Sequence, residues 1–444
     1  MTMNPIRDLG SGLVLRRAAP DDTDNLAAFH AAIHSDAGPG SPDESVGLWV
    51  RDLMSGRHPT FRPGDFALVE ELRTGAIVSS LCLLSQTWSY EGIPFGLGRP
   101  ELVGTRADYR RRGLVRVQMD LVHEWSAERG EMVQGITGIP DFYRQFGYEM
   151  ALELGGGRAG YAPHIPRLAE GRAEPFLLRP AVEADLPAIA RIYEVGCRRS
   201  QVAGLRDDAL WRYDLAGMSA GNVNRRNLAA IETPEGLLVG FLAHANMLWQ
   251  RGISATVYEL SPGVSWLAAT PCVVRYLWRM GEAIAARDGS GPLESFTMSL
   301  GSEHPAYRAV GTRLPRVRPP YAWYLRVPNL PDFLRHIAPA LEVRLEASVA
   351  PGYSGTLCLN FYREGVRLVW ERGRLAAVER WDPASSEESW AAFPGLSFLQ
   401  ILFGYRSLSE LKHTWADCWT GGEEAPVVLD ALFPKRPSDV WAVV

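Results

Sequence analysis

The stretch VGTRADYRRRGLVRVQ (Val103–Gln118) sets three consecutive arginines and a glycine between a short apolar segment and an apolar-periodic one. Read as strand end, turn and helix start, it presents unpaired backbone N–H groups at the positive end of a helix dipole. Such an end binds phosphate. Gly113 lets the backbone approach an anion with no Cβ in the way. Arg110, Arg111, Arg112 and Arg116 add positive charge around it. The chemistry on offer is capture of a small anion, a pyrophosphate foremost. The alternative is an exposed basic helix start that binds nothing. Neither the GxGxxG fingerprint nor the GxxxxGK[ST] loop is present.

The elements that must position this turn follow from periodicity. DFALVEEL, IVSSLCLL and RPELVGT read as strands. LVRVQMDLVHEWSAERG reads as a helix, with Leu114, Val117, Leu121 and Trp125 on one face. MVQGIT is the next strand, so the first block is an α/β layer with a partly parallel sheet. A glycine-rich stretch, Gly155–Pro175, reads as a linker or long loop. The opening motif then returns: LVLRRAAPDDTDNLAAFHAAI at Leu13 matches FLLRPAVEADLPAIARIYEVG at Phe176. Such a recurrence predicts two copies of one fold. A third block opens with PNLPDFLRHIAPALEVRL, read as one helix, and continues through strand-like runs GTLCLNFY, VRLVWERG and RLAAVERW.

Composition narrows the classes. The 444 residues are 46% hydrophobic and 22% charged, with net charge -5. This is ordinary globular composition. The absence of a basic excess argues against a nucleic-acid binder. The five cysteines are scattered and form no CxxC pair, which reads as reduced thiols in the cytosol. The N-terminal stretch has no apolar core of a signal peptide, and the longest apolar run, AIVSSLCLL, is far short of a membrane span.

VGTRADYRRRGLV resembles motif A of the GNAT N-acetyltransferases, [QR]-x-x-G-x-[GA], with Val115 at its last small position. GIPDFYRQFGYE (Gly138–Glu149) resembles the closing Y-x-x-x-G-[FY] segment of the same family. Two such blocks followed by a sheet-and-helix block resemble the Eis (enhanced intracellular survival) family. That resemblance implies an α/β (α+β) fold class: tandem GNAT folds with mixed central sheets, then an SCP2-like domain. The implied domains are 1–154, catalytic; 155–327, a degenerate second GNAT domain; and 328–444, sterol-carrier-like.

The resemblance also implies an acetyl-CoA-dependent N-acetyltransferase. Its acceptor would be a primary amine on a small polycation, such as an aminoglycoside or polyamine, or a lysine side chain. Acetyl-CoA would meet Val103, Gly104 and Thr105 at its carbonyl. Arg111, Arg112, Gly113, Leu114, Val115 and Arg116 would hold the pyrophosphate, with Gly138 and Ile139 nearby. Tyr143 matches the tyrosine placed near the CoA sulfur; a phenol of pKa ~10 can donate its proton at neutral pH. The α-carboxylate of Val444 would be the base, with a disordered tail or Glu101 as alternatives. A hexamer in the cytoplasm is implied, with no metal, nucleic acid or membrane partner. The competing reading is a non-catalytic acyl-CoA or lipid-binding protein.

The second block has no R-x-x-G-x-[GA]. Trp266 and Pro271 stand where a phosphate turn needs glycine and free amides, and HPAYRAVGTRL retains Tyr307 and Gly311 of the closing segment. The block therefore reads as structural, shaping an acceptor cleft. His30 and His34 have metal-binding spacing without an accompanying carboxylate. Trp88, after the third strand, is a candidate for the acceptor pocket.

Overall fold

The alternating and amphipathic segments fold into three sheets with helices packed on their faces. The computed structural model describes residues 6–383 and 389–444. The first sheet runs Arg7–Gly10, Leu13–Arg17, Phe66–Glu71, Ala76–Tyr90, Ile93–Thr105, Val133–Ile136, Tyr321–Arg326, Glu149–Leu154. Val202–Gly204 pairs with Ala76–Tyr90 off this path. Ile93–Thr105 is parallel to Val133–Ile136 and antiparallel to Ala76–Tyr90, so the sheet is mixed. Ala76–Tyr90 is buried along most of its length, as its apolar run requires of a strand covered on both faces.

The second sheet runs Arg316–Arg318, Gly157–Tyr161, Ser295–Met298, Gly252–Leu260, Leu238–Ala245, Arg226–Glu232, Leu177–Pro180. The glycine-rich stretch expected as a linker thus contains a strand. A Cβ on Gly157 would lie 2.0 Å from the Met298 carbonyl, and one on Gly160 would lie 2.5 Å from the Phe296 ring. These glycines permit close strand contact rather than marking a loop. Tyr321–Arg326 enters the first sheet, between Val133–Ile136 and Glu149–Leu154. The expected second block therefore completes the first sheet, and the two units are interlocked.

The sequence repeat has a physical counterpart. Arg16 donates to Asp22 twice at 2.7 Å and to Glu70 at 2.7 Å. Arg179 donates to Asp185 at 2.7 and 2.9 Å and to Glu232 at 3.0 Å. Both aspartates also accept a backbone N–H three residues earlier, from Ala19 and Val182. One arginine-centred clasp closes the start of each unit.

Among the described residues the third unit has five strands: Gly355–Asn360, Gly365–Glu371, Arg374–Trp381, Ala391–Ala392 and Trp419–Thr420. The single helix expected before it is two, Leu330–His336 and Ala338–Glu346. Pro339 explains the break, since it is tolerated only in the first turn of the second helix.

Candidate active site

The site begins where two parallel strands part. Ile93–Thr105 pairs with Val133–Ile136 only at Leu97–Val133 and Gly98–Gln134. Between Glu101 and Gly104 its register against Ala76–Tyr90 slips, and Leu102 adopts φ 54°. This bulge turns the strand end away from its parallel neighbour. Ser79 Oγ holds the diverging end, bonding the Gly104 carbonyl at 3.0 Å and Gln118 Oε1 at 2.7 Å. Gly104 packs on the helix Thr23–Ile33, where a Cβ would lie 2.8 Å from Ile33.

A cleft of about 970 Å³ opens between the parted strands. Val103, Gly104, Thr105, Arg111, Gly113, Leu114, Val115, Arg116, Gly138, Ile139 and Tyr143 all line it. Arg112 does not: its guanidinium donates to the Asp108 carbonyl at 3.1 Å and lies over Tyr109.

The helix Leu114–Glu128 starts at Gly113, with φ 75°, no side-chain cap and no acidic residue in its first turn. Among the described residues nothing lies within 4 Å of where a Gly113 Cβ would stand. The amides, the exposed arginines and this open space fit a phosphate group. The corresponding helix of the second unit, Trp266–Asp288, is closed: Ser265 Oγ accepts the Ala268 N–H at 3.3 Å.

Tyr143 sits in a one-turn helix, Phe142–Phe146, and is 4% exposed. Its hydroxyl would lie 3.5 Å from a Cβ on Gly138, whose φ of 135° only glycine adopts readily. Burial pushes the Tyr143 phenol above its ordinary pKa, so it stays protonated through the neutral range. Tyr307 stands in the corresponding turn of the second unit, but its hydroxyl is engaged by Leu300 N, Met298 O and Gly301 O at 3.0–3.1 Å.

The chain's tail runs between the two units. Gln201 N donates to Pro437 O, Val202 N to Ser438 Oγ, and Asp439 N to Ser200 Oγ. Arg206 donates to Trp441 O at 2.7 Å and lies 3.6 Å over its ring. Val443 O accepts from Gln86 at 3.0 Å and Arg99 at 2.8 Å. Val444 O is 3.2 Å from His58 Nε2, outside the cleft lining. The tail fills the second unit's counterpart site: Pro437, Ser438, Asp439 and Trp441 help enclose a cavity of about 50 Å³ beside Glu259, Gly301 and His304.

The cleft also holds residues that sequence reasoning did not place in it: Ile33, Val46, Trp49, Val223 and Asn224, with His34, which had been weighed only for a metal. Glu101, weighed as a base, is the sole carboxylate among the described lining residues, and it pairs with Arg99. Burial holds the His34 imidazole below its ordinary range, against the opposing pull of Glu101 and the Leu102 backbone. His34 is therefore neutral at pH 7, and among the described residues its Nε2 has no partner. Trp49 Nε1 and Asn224 Nδ2 are likewise buried and unpartnered. Each such donor costs about 1–3 kcal/mol if it stays unsatisfied. Among the described residues no group of three or more metal-ligating side chains occurs. Trp88 is a core residue instead: it is 1% exposed, bonds Gln86 at 2.9 Å and packs edge-on against Trp323.

Residues 15–151 match the family described as "Acetyltransferase (GNAT) domain". The fold is similar across 97% of the chain to a GCN5-related N-acetyltransferase from Kribbella flavida, with TM-score 0.62, 16% identity and 98% of that chain covered. It is also similar to Eis1 from Mycobacterium abscessus, with TM-score 0.56, 14% identity, and 97% and 99% of the two chains covered. An N-myristoyltransferase from Saccharomyces cerevisiae with bound myristoyl-CoA matches over 73% of this chain and 84% of its own, with TM-score 0.50 and 10% identity. No curated protein matches the chain. The first unit is therefore a GNAT acetyltransferase domain on a tandem GNAT-like fold. Among the described residues no helix is long and apolar enough to cross a membrane.

Proposed function

We propose that the chain transfers acetyl from acetyl-CoA to a primary amine by direct attack of the amine on the thioester, in the first unit alone. One observation carries this reading: the parted strands, the uncapped helix start and Tyr143 face a single cleft. When bound, acetyl-CoA supplies an activated thioester carbonyl. The open helix start, with Arg110, Arg111 and Arg116, holds the pyrophosphate. The backbone of Val103–Thr105 faces the acyl carbonyl; one preorganised donor there contributes about 3 kcal/mol. Glu101 takes the amine proton. Tyr143 gives its phenolic proton to the departing sulfur. The C–N bond forms as the C–S bond breaks, and one proton is taken up while one is given.

The resemblance had made Val444 the base. We assign that role to Glu101, which lines the cleft, and give the tail the task of holding Arg99 beside it. The engaged Tyr307 and capped helix support a non-catalytic second unit. The strand-and-helix content of the third unit suits the sterol-carrier-like domain that the Eis-like resemblance implies; the homo-oligomer, a hexamer, rests on that resemblance alone. The five free cysteines suit a cytoplasmic setting.

Calorimetric titration of acetyl-CoA into the wild type and Gly113→Trp tests the cofactor site. One site per chain, lost in the variant, is expected. No binding to the wild type would sink the acetyltransferase reading.

A further inference from the structure

A single helical turn does not hold itself, because nucleation is costly and one turn makes too few bonds to repay it. Phe142–Phe146, which carries Tyr143 into the cleft lining, is such a turn. The residues flanking it, Asp141 and Gly147, have φ of 66° and 84°. A non-glycine residue such as Asp141 keeps that conformation only where its surroundings fix it.

Those surroundings come from all three units. Tyr324 is buried on Tyr321–Arg326, the strand that passes from the second unit into the first sheet. Its hydroxyl accepts the Asp141 N–H at 2.6 Å, and its ring packs edge-on against Tyr143 with centroids 5.6 Å apart. Arg144 donates to Asp141 Oδ1 at 3.1 Å and to the two carboxylate oxygens of Glu149 at 2.9 and 3.2 Å. Glu149 is buried at the start of Glu149–Leu154 and also accepts from Met150 N at 3.0 Å. Its last donor is Gln400 Nε2 at 3.3 Å, from Phe398–Leu402 of the third unit.

The second unit lacks this clamp. Arg308 follows Tyr307 as Arg144 follows Tyr143, but Arg313 stands where Glu149 would. Two arginines cannot pair. There the tyrosine hydroxyl is itself the anchor, bonded to Leu300 N, Met298 O and Gly301 O. A phenol that anchors its own turn is not free to give up its proton. Where Glu149 and Tyr324 anchor the turn, the phenol is spared that task.

We infer that Glu149 and Tyr324 are positioning residues for Tyr143: they hold its turn from outside the cleft and leave its hydroxyl free for the departing sulfur. This rests on the acetyltransferase reading above and deepens it.

Steady-state acetylation of phenethylamine, spermidine and kanamycin by the full chain, continued with the amine turned over fastest, tests it in a double-mutant cycle. Tyr324→Phe keeps the ring and removes the acceptor of the Asp141 N–H. Glu149→Leu removes the partner of Arg144. Each should lower kcat about tenfold, the scale of a misplaced reacting group, with the KM for acetyl-CoA changed by less than about twofold. Glu149→Gln keeps a carbonyl oxygen for Arg144 and should recover most of that loss. In a Tyr143→Phe background neither substitution should lower kcat by more than about twofold, since nothing remains to position. Should Glu149→Leu not fold, Tyr324→Phe, which removes one oxygen atom, decides alone. Losses that repeat in full in the Tyr143→Phe background, losses confined to KM, or an unchanged kcat in Tyr324→Phe overturn the inference and leave the acetyltransferase reading standing. No acetyl transfer to any of the three amines overturns both.

Discussion

Arg99 Nη1 donates to the Val443 carbonyl across 2.8 Å, while its other terminal nitrogen pairs with Glu101. One guanidinium therefore ties the chain's tail to the carboxylate that faces the cleft. Arg99→Met would leave Glu101 buried without its cation. Breaking a buried pair in this way costs about 3–5 kcal/mol. The melting temperature should fall, and kcat should fall at least tenfold. Acetyl-CoA affinity by calorimetry should hold, because the phosphate turn is elsewhere.

Tyr143 and Tyr307 should respond in opposite ways to the same substitution. Tyr143→Phe removes the proposed proton donor and should lower kcat on the order of 100-fold, the scale of general acid catalysis. Its acetyl-CoA affinity should not change. Tyr307→Phe should leave kcat alone and destabilise the fold by about 1–3 kcal/mol, since the buried Leu300 N–H loses its acceptor. Kinetics with urea unfolding of both variants check this.

The two helix starts make a second matched pair. Gly113→Ala places a methyl group in open space at φ 75°, so the fold should survive at a cost of about 1 kcal/mol. Acetyl-CoA affinity should drop at least tenfold. Ser265→Ala removes the cap of Trp266–Asp288 and should cost about 1 kcal/mol of stability with affinity unchanged. Equal affinity losses in both variants would mean that the second unit also binds the cofactor.

Asp439 sets a pH dependence. Burial, with Glu259 and Glu153 nearby, raises its carboxyl from an ordinary 3.8 to about 7, against the pull of Arg199. A raised acid binds its proton more tightly in the folded state. Its contribution to stability is thus full below about pH 4 and is lost as pH rises through about 7. Asp439→Asn should flatten this loss. Melting curves from pH 5 to 8.5 should show the variant gaining on the wild type as pH rises to about 7, with the gap constant above that.

The paired arginine clasps differ in burial. The Arg16 side chain is 5% exposed and the Arg179 side chain 39%. Arg16→Met should cost about 3–5 kcal/mol, as for a broken buried pair. Arg179→Met should cost about 1 kcal/mol, because solvent screens it. Equal losses by urea unfolding would refute the ranking.

Much of the first unit was legible in local pattern. Gly113 and its arginines mark a strand-to-helix turn by residue type alone, and Tyr143 lines the same cleft. The Leu13 and Phe176 copies of one motif announced the repeat, because each must rebuild the same arginine clasp. Local reading failed where a residue's meaning depends on a distant partner. Gly157 and Gly160 looked like linker and are close-packed strand; Trp88 looked like pocket and is core. Pro339 could have been read as a helix break from sequence, and was missed.

The sequence by itself determined the strand-to-helix turn at Gly113, the repeat and the alternation of strands and helices, because these rest on neighbours a few residues apart. Only the tertiary structure decided which strands complete which sheet, where the tail lies and what walls the cleft. Tyr324 meets Asp141 across 183 positions of the chain, and Val443 meets Arg99 across 344. No periodicity records such pairings: they are fixed by which surfaces can be buried together with their polar groups satisfied.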